Sequence, residues 1–196
     1  AGRPVLAKER KQRLYSGIGR LNAFCVINIK NKSHRLKAEI VVPACGCEGV
    51  IVAQGGFPGG WSLYTKEGHL KYCYNFYGID LFHIGTPEPI PPGKHIVGMD
   101  FEYDGGGVAK GGLVRLSVDN RIMGEGRVER TQPLPFASDE PLEIGSDNGS
   151  RVTSDYTVRK FSGKVNWIEI EIPTGARDDD AGITDEQRIQ AALITE

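Results

Sequence analysis

Short runs in which apolar and polar residues alternate one for one constrain this chain more than any other feature. A two-residue period puts every second side chain on one face of a β-strand and fits no helix. In "RLKAEIVV", Leu36, Ala38, Ile40 and Val42 share one face while Lys37 and Glu39 share the other. "LVRLSV" sets Val114, Leu116 and Val118 against Arg115 and Ser117, and "VNWIEIEI" sets Ile168, Ile170 and Ile172 against Glu169 and Glu171. Each run has one dry face, and glycine, proline or Asx residues separate the runs. Strands of this kind bury their apolar faces by stacking two sheets, so the expected fold is an all-β antiparallel β-sandwich. A chain of 196 residues is long enough for one such core.

Turn chemistry places the connections. Gly68 in "KEGH" supplies the positive φ of a tight hairpin between Leu63–Thr65 and Leu70–Phe76, and Asp119-Asn120 suits a second hairpin after "LVRLSV". The glycine cluster "GGFPGG" (Gly55 to Gly60) lacks the lysine and hydroxyl of a Walker phosphate loop and the spacing of a dinucleotide loop, so it reads as a glycine turn between strands. The prolines of "TPEPIPPGK" (Thr86 to Lys94) cannot donate to a ladder and predict a surface loop or edge, and "YDGGGVAKGG" (Tyr103 to Gly112) predicts a loop or hairpin. Residues 1–14, with the basic run "KERKQR", read as a solvated N-terminal arm, and residues 15–173 as the sandwich. Residues 174–196 read as an acidic linker and a short C-terminal helix. Thr184 and Gln187 form a capping box there, Ile183 a staple, and Ile189 and Leu193 share a face.

A net charge of −1 offers no electrostatic footing for nucleic acid or an anionic membrane as partner. No apolar run approaches the roughly 18 residues of a membrane span, so a soluble protein is expected, with its compartment open. Four cysteines without zinc or thioredoxin spacing predict reduced thiols, and four scattered histidines predict solvated strand ends. Two groups of residues are candidates for binding. Trp61 and Tyr77 stand outside the Leu70, Tyr72, Tyr74 row assigned to the core and are the predicted platforms for stacking on a sugar ring. Asp147, Asn148 and Asp155 cluster in "IGSDNGSRVTSDY", where oxygen ligands on a sandwich rim would suit calcium, although EF-hand spacing is missing. Glu169 and Glu171 project from one strand face with a spacing that could serve a glycosidase or lyase, although alternating Glu and Ile is also how a solvated sheet face reads.

Five blocks in order, "IKNKSHRLKAEIVVP", "EGVIVAQGGFPGGWSLYTKEGHLKYCYNF", "PPGKHIVGMDFEYDGGGVAKGGLVRLSVDNRIMGEGRVERTQP", "LEIGSDNGSRVTSDY" and "FSGKVNWIEIEI", resemble the C-terminal part of bacterial arylsulfatases, from about Tyr15 to Ile172. "WSLYTKEGHLKYCYNF" and "FSGKVNWIEIEI" also resemble concanavalin-like and laminin-G-like jelly-roll sandwiches. The sulfatase signature C/S-x-P-x-R is missing, since none of the eleven prolines has Cys or Ser two positions before it. The resemblance therefore implies no catalytic residue and no cofactor for this chain. It implies a non-catalytic accessory domain, with a sulfatase catalytic domain in the same polypeptide as its partner and the bacterial cytoplasm, periplasm or exterior as its place. The alternatives are a carbohydrate-binding module with a glycan partner and a sandwich glycosidase or lyase.

Overall fold

A computed structural model describes residues 7, 9–133, 136 and 141–175. The helix expected over residues 184–193 lies outside them. Eleven strands are described: β1 (Lys11–Tyr15), β2 (His34–Val42), β3 (Gly49–Gly56), β4 (Gly59–Lys66), β5 (His69–Phe76), β6 (Asp80–Pro89), β7 (Gly93–Tyr103), β8 (Gly112–Val118), β9 (Arg121–Val128), β10 (Leu142–Ile144) and β11 (Lys164–Glu171). They form a six-stranded sheet in the order β1-β11-β2-β7-β8-β9 and a five-stranded sheet in the order β10-β3-β4-β5-β6. All neighbours pair antiparallel. The only helix among the described residues is one 3₁₀ turn, Ala23–Cys25. The fold is the expected β-sandwich.

The alternating runs fill the space between the sheets. Leu36, Ala38, Ile40 and Val42 of β2, Leu116 of β8 and Ile168 and Ile170 of β11 are buried there, and Val118 is partly buried against them. Trp61, Leu63, Leu70, Tyr72 and Tyr74 face them from the second sheet. The turns follow their chemistry: Glu67 and Gly68 have φ of 53° and 79°, and Asp119 and Asn120 have 50° and 65°, the left-handed pair that a two-residue hairpin requires. The proline-rich Thr86–Pro89 stretch ends β6, an edge strand, where a missing N–H costs no ladder bond. β6 lies against β9 of the other sheet, so closely that a Cβ at Gly124 would overlap the backbone of Gly85.

Three expectations need correction. The basic run is not wholly a solvated arm, since Lys11–Tyr15 pairs with β11 and Leu14 is buried. Gln12 fixes the outer edge of that strand, donating to the Cys25 carbonyl at 2.7 Å and accepting from the Ile27 amide at 3.1 Å. His34 is not a solvated strand end. It continues the inward register of Leu36 and Ala38, is 5% exposed and stacks obliquely on Phe101. The remaining histidines, too, are bonded to protein atoms: His69 to Thr86, His83 to Thr153 and His95 to Asp119. The third correction concerns β3 and β4, every residue of which from Gly49 to Thr65 within the strands is buried, so this part of the five-stranded sheet has two dry faces. Its outer layer comprises Val50, Ala53, Tyr64 and Cys73, covered by Val152 and Tyr156 from the segment 145–161. All four cysteines are free thiols.

Two measurements check this account. Ile40→Ala and Leu116→Ala should each lower unfolding free energy by about 2–5 kcal/mol in denaturant titrations, and a near-neutral result at both would mean that the faces are reversed. Burial pushes the His34 imidazole down to about 4, against about 6.5 in an unfolded chain. Between these values the unfolded state binds the extra proton, so stability is full above about pH 6.5 and falls as pH drops toward 4. Asp147, raised by burial, works in the opposite direction at the acid end. His34→Gln should therefore flatten the pH dependence of stability between about 6.5 and 4.

Candidate functional site

The segment 145–161 is a closed loop laid over the five-stranded sheet. Its ends meet where the Phe161 amide donates to the Gly145 carbonyl at 3.0 Å, and the Gly145 amide donates to Ile51 at 2.7 Å. Asp147 is buried and accepts from the Tyr156 hydroxyl and the Val152 amide, which ties the loop to itself. Asp155 ties it to the sheet, accepting from Tyr64 Oη at 2.6 Å, Lys66 Nζ at 2.7 Å and Lys71 Nζ at 2.9 Å. Burial pushes the Asp155 carboxyl up, but these three donors outweigh it and hold the group well below the usual carboxylate range. Burial and the Asp155 bond together push the Tyr64 hydroxyl far above its ordinary value.

The predicted calcium ligands are therefore not one site. Asp147 faces Tyr156, Asp155 faces two lysines, and Asn148 donates to Glu143 Oε2 from both its amide nitrogens at 2.7 Å. Short polar side chains in a loop close turns as readily as they bind metals, and here they do the former. Among the described residues, no three His, Cys, Asp or Glu side chains gather as a metal would require. The Glu169/Glu171 pair fails for a similar reason. Glu169 is buried beneath Lys11 at 2.9 Å and Arg13 at 2.7 Å. Burial raises its carboxyl, the two cations lower it further, and the net value lies below the ordinary one, the opposite of what a general acid needs.

At one end of the five-stranded sheet the loop meets two turns and leaves a cleft of about 310 Å³, lined by Phe57, Asn75, Gly78, Leu81, Arg151, Val152, Thr153 and Ser154. Asn75 assembles it. Its Nδ2 donates to the Val152 carbonyl at 2.8 Å and the Phe57 carbonyl at 3.1 Å, and its Oδ1 accepts from the Gly78 amide at 2.7 Å. One buried amide thus fixes the β3–β4 tip, the β5–β6 turn and the loop relative to each other. The Phe57 amide also donates to Ser150 Oγ at 2.9 Å. The apolar side chains at this rim stay in water: Phe57 is 68% exposed, Ile79 71% and Leu81 43%. Polar groups stand beside them. Thr153 accepts or donates to His83 Nε2 at 3.0 Å, Ser154 is exposed, and Arg151 is pinned by a 3.2 Å bond from Nη1 to the Tyr156 carbonyl.

The two predicted platforms fare differently. Trp61 has 0% exposure and donates Nε1 to Gln54 Oε1 at 3.2 Å, so it offers no face to a sugar. The reason is register: Trp61 lies directly opposite Tyr74, and cross-strand partners share a face, so the tyrosine row carries Trp61 into the core with it. Tyr77 is half-buried, edge-on to Phe76 at 4.8 Å, and sits next to Gly78 of the cleft. Phe57 was missed by reading alternation, because it stands in a turn. The signal available was its position between glycine pairs, where the chain reverses and no second layer can cover a ring.

The other large depression, about 600 Å³ on the outer face of the six-stranded sheet, is walled by Arg115 and Arg127. Arg115 already meets Glu102 and Glu125, and Arg127 meets Asp104. Its cations are thus matched by its own carboxylates.

No family model matches the chain, and no curated protein matches it in sequence. Among solved structures it is similar to the CBM40 carbohydrate-binding module of the Ruminococcus gnavus IT-sialidase, with 10% identity, a TM-score of 0.51 and coverage of 88% of this chain and 94% of that one. The same module bound to α2,6-sialyllactose gives 11% identity and a TM-score of 0.51, over 88% of this chain and 94% of the other. A leech intramolecular trans-sialidase complexed with 2,7-anhydro-Neu5Ac gives 12% identity and a TM-score of 0.52, covering 92% of this chain and 27% of the enzyme. These likenesses define the class of fold, a concanavalin-like jelly-roll sandwich of the kind found in carbohydrate-binding modules. Nothing in them ties the chain to a sulfatase. Among the described residues no helix is long and apolar enough to cross a membrane.

The Asp155 hub gives a prediction. Asp155→Asn should cost about 1–3 kcal/mol, because two ammonium groups lose their acceptor. Amide exchange should quicken from residue 150 to 157 and stay slow at Ile40 and Leu116. The carboxylate's contribution is complete above the ordinary Asp value of about 3.9 and is lost as pH falls through the depressed native value, so variant and wild type should converge in strong acid.

Proposed function

We propose that this domain is a carbohydrate-binding module and that its glycan lies in the cleft beside Phe57. The observation that carries the reading is the pairing of an exposed aromatic ring with a rigid polar wall. A sugar ring has an apolar C–H face that packs on an aromatic side chain and hydroxyl groups around its edge that need donors and acceptors. Phe57 supplies the first, while Arg151 and the exposed Ser154 supply the second. Tyr77, at the neighbouring turn, extends the apolar side. The fold supports this reading, since similar solved structures include a carbohydrate-binding module captured with sialyllactose. A binding role is compatible with the structural neighbours, which include a binding module.

The accessory-domain reading is compatible with this one, for such a module works by holding a catalytic domain near its substrate. A sulfatase as that domain rests on the sequence blocks alone and is a separate proposal, to be tested by reading the gene on both sides of this segment for C/S-x-P-x-R.

Glycan-array screening of the purified domain, with sialyllactose and lactose among the probes, should return at least one retained glycan. Phe57→Ala and Arg151→Ala should each weaken that retention about tenfold or more, equivalent to about 1.4 kcal/mol, with an unchanged melting temperature. Retention unaltered in a folded Phe57→Ala, Arg151→Ala double variant would move the site elsewhere, and no retention across the array would overturn the function.

A further inference from the structure

A second, enclosed space lies between the sheets, at the end where β2 begins. It measures about 10 Å³ and is lined by Ile29, Lys30, Asn31, His34, Tyr72, Tyr74, Phe101, Thr131 and Phe136. A space of that size holds one water molecule and nothing larger. Two atoms of its lining residues have no hydrogen-bond partner, His34 Nε2 and Asn31 Nδ2, and both belong to side chains that are almost wholly buried, at 5% and 2% exposure. A buried polar atom without a partner keeps the full cost of its lost hydration, so the pair marks a place where a partner belongs.

Hydrogen bonding elsewhere on each side chain settles which atom gives and which takes. His34 Nδ1 lies 3.0 Å from the Lys32 carbonyl oxygen. A carbonyl only accepts, so Nδ1 carries the proton. Burial keeps the ring neutral at ordinary pH, and Nε2 therefore presents a bare lone pair to the chamber. Asn31 Oδ1 accepts from the Ala109 amide at 3.0 Å, which fixes the orientation of the side-chain amide. Its Nδ2 is thus a donor facing the chamber. Thr131 gives its hydroxyl proton to the Lys110 carbonyl at 2.7 Å, so it too has only lone pairs to offer. Asn31 Nδ2 is thus a donor, and His34 Nε2 and Thr131 Oγ1 are acceptors, in a lining that also includes Lys30 and the two tyrosines Tyr72 and Tyr74.

We propose that this chamber is a built site for a single ordered water, which accepts from Asn31 Nδ2 and donates to His34 Nε2 and Thr131 Oγ1. Water is the one molecule of that size that both donates twice and accepts, and three bonds is the usual number for a buried water. A cation is excluded by the Asn31 donor and by the absence of any carboxylate in the lining, and an anion by the lone pair on Nε2. The water joins three segments remote in sequence. Asn31 stands in the left-handed region at φ 56° before β2 and reaches the β7–β8 connection through Ala109; Thr131 follows β9 and reaches the same connection through Lys110; His34 opens β2. The site closes one end of the sandwich, independent of the glycan cleft built from Phe57 and the segment 145–161.

A crystal structure of the full chain at atomic resolution should show a water peak in the chamber about 2.7–3.2 Å from both His34 Nε2 and Asn31 Nδ2. Oxygen-17 relaxation dispersion in solution should count one fewer long-lived water in His34→Phe than in wild type, because the larger ring fills the space and removes the acceptor. Long-range ¹H–¹⁵N spectra of wild type should show His34 as the neutral Nδ1–H tautomer. An empty chamber at atomic resolution, or an unchanged water count in folded His34→Phe, would overturn the proposal. So would a His34 ring protonated at Nε2. If His34→Phe does not fold, the wild-type crystal structure and tautomer decide alone.

Discussion

The constraint on which the rest of this structure depends is that the central strands β3 and β4 of the five-stranded sheet are dry on both faces. A sheet packed on one side only would need polar side chains at Val50, Ala53, Tyr64 and Cys73, and the chain has apolar ones. Something must cover them, and the segment 145–161 does so with Val152 and Tyr156. A loop is a poor cover on its own, since its backbone polar groups come with it. Asp147, Asp155 and Asn75 solve that difficulty, giving the loop internal bonds and anchoring it to β4 and β5. The carboxylates that look like metal ligands in the sequence are the fastenings of this cover.

The cleft beside Phe57 is a by-product of the same arrangement. Covering the sheet stops at its end, where the β3–β4 tip and the β5–β6 turn extend past the loop. Asn75 holds all three with a single side chain, so the ring of Phe57 and the polar groups from Arg151 to Ser154 keep a set separation without a ligand. Preorganisation of this kind matters for glycans in particular, because a sugar offers little apolar area and a site that had to order itself on binding would lose most of what contact supplies.

Most of the architecture was legible in the sequence, and the failures share one cause. Alternation identifies the dry face of a strand that has one wet face, as Ile40 and Val42 against Lys37 and Glu39 show. It carries no information about a strand with two dry faces, such as β4, where Trp61 inside and Tyr64 outside are equally buried. Register then decides, and register is a relation between strands. Turn residues were readable because their requirement is local: Glu67-Gly68 and Asp119-Asn120 need only their own backbone. His34 looked like any strand-end histidine, since what buries it is Phe101 and the opposing tyrosines, far along the chain. Phe57 was hidden by the same bias, as an apolar residue in a glycine turn fits neither pattern.

The remaining surface is closed by its own chemistry, which is why the Phe57 end stands out. On the outer face of the six-stranded sheet, Lys11 and Arg13 share Glu169, Lys94 meets Glu39, Arg35 meets Asp100, and Arg115 lies between Glu102 and Glu125. A charged ligand arriving there would have to displace partners already in place, and each exposed pair is worth so little that the face contributes solubility more than stability. The strand edges are occupied as well, β1 by the Gln12 amide and β6 by the close approach of β9. Of the exposed large apolar side chains, Phe57, Ile79 and Leu81 gather beside polar groups and a guanidinium at the end of the sandwich where cover and sheet part company, while Tyr15, Ile18, Ile122 and Val158 do not line that cleft. Moving Phe57 would therefore alter that rim while leaving both cores intact, whereas moving Asn75 would also loosen Val152 and the cover it belongs to.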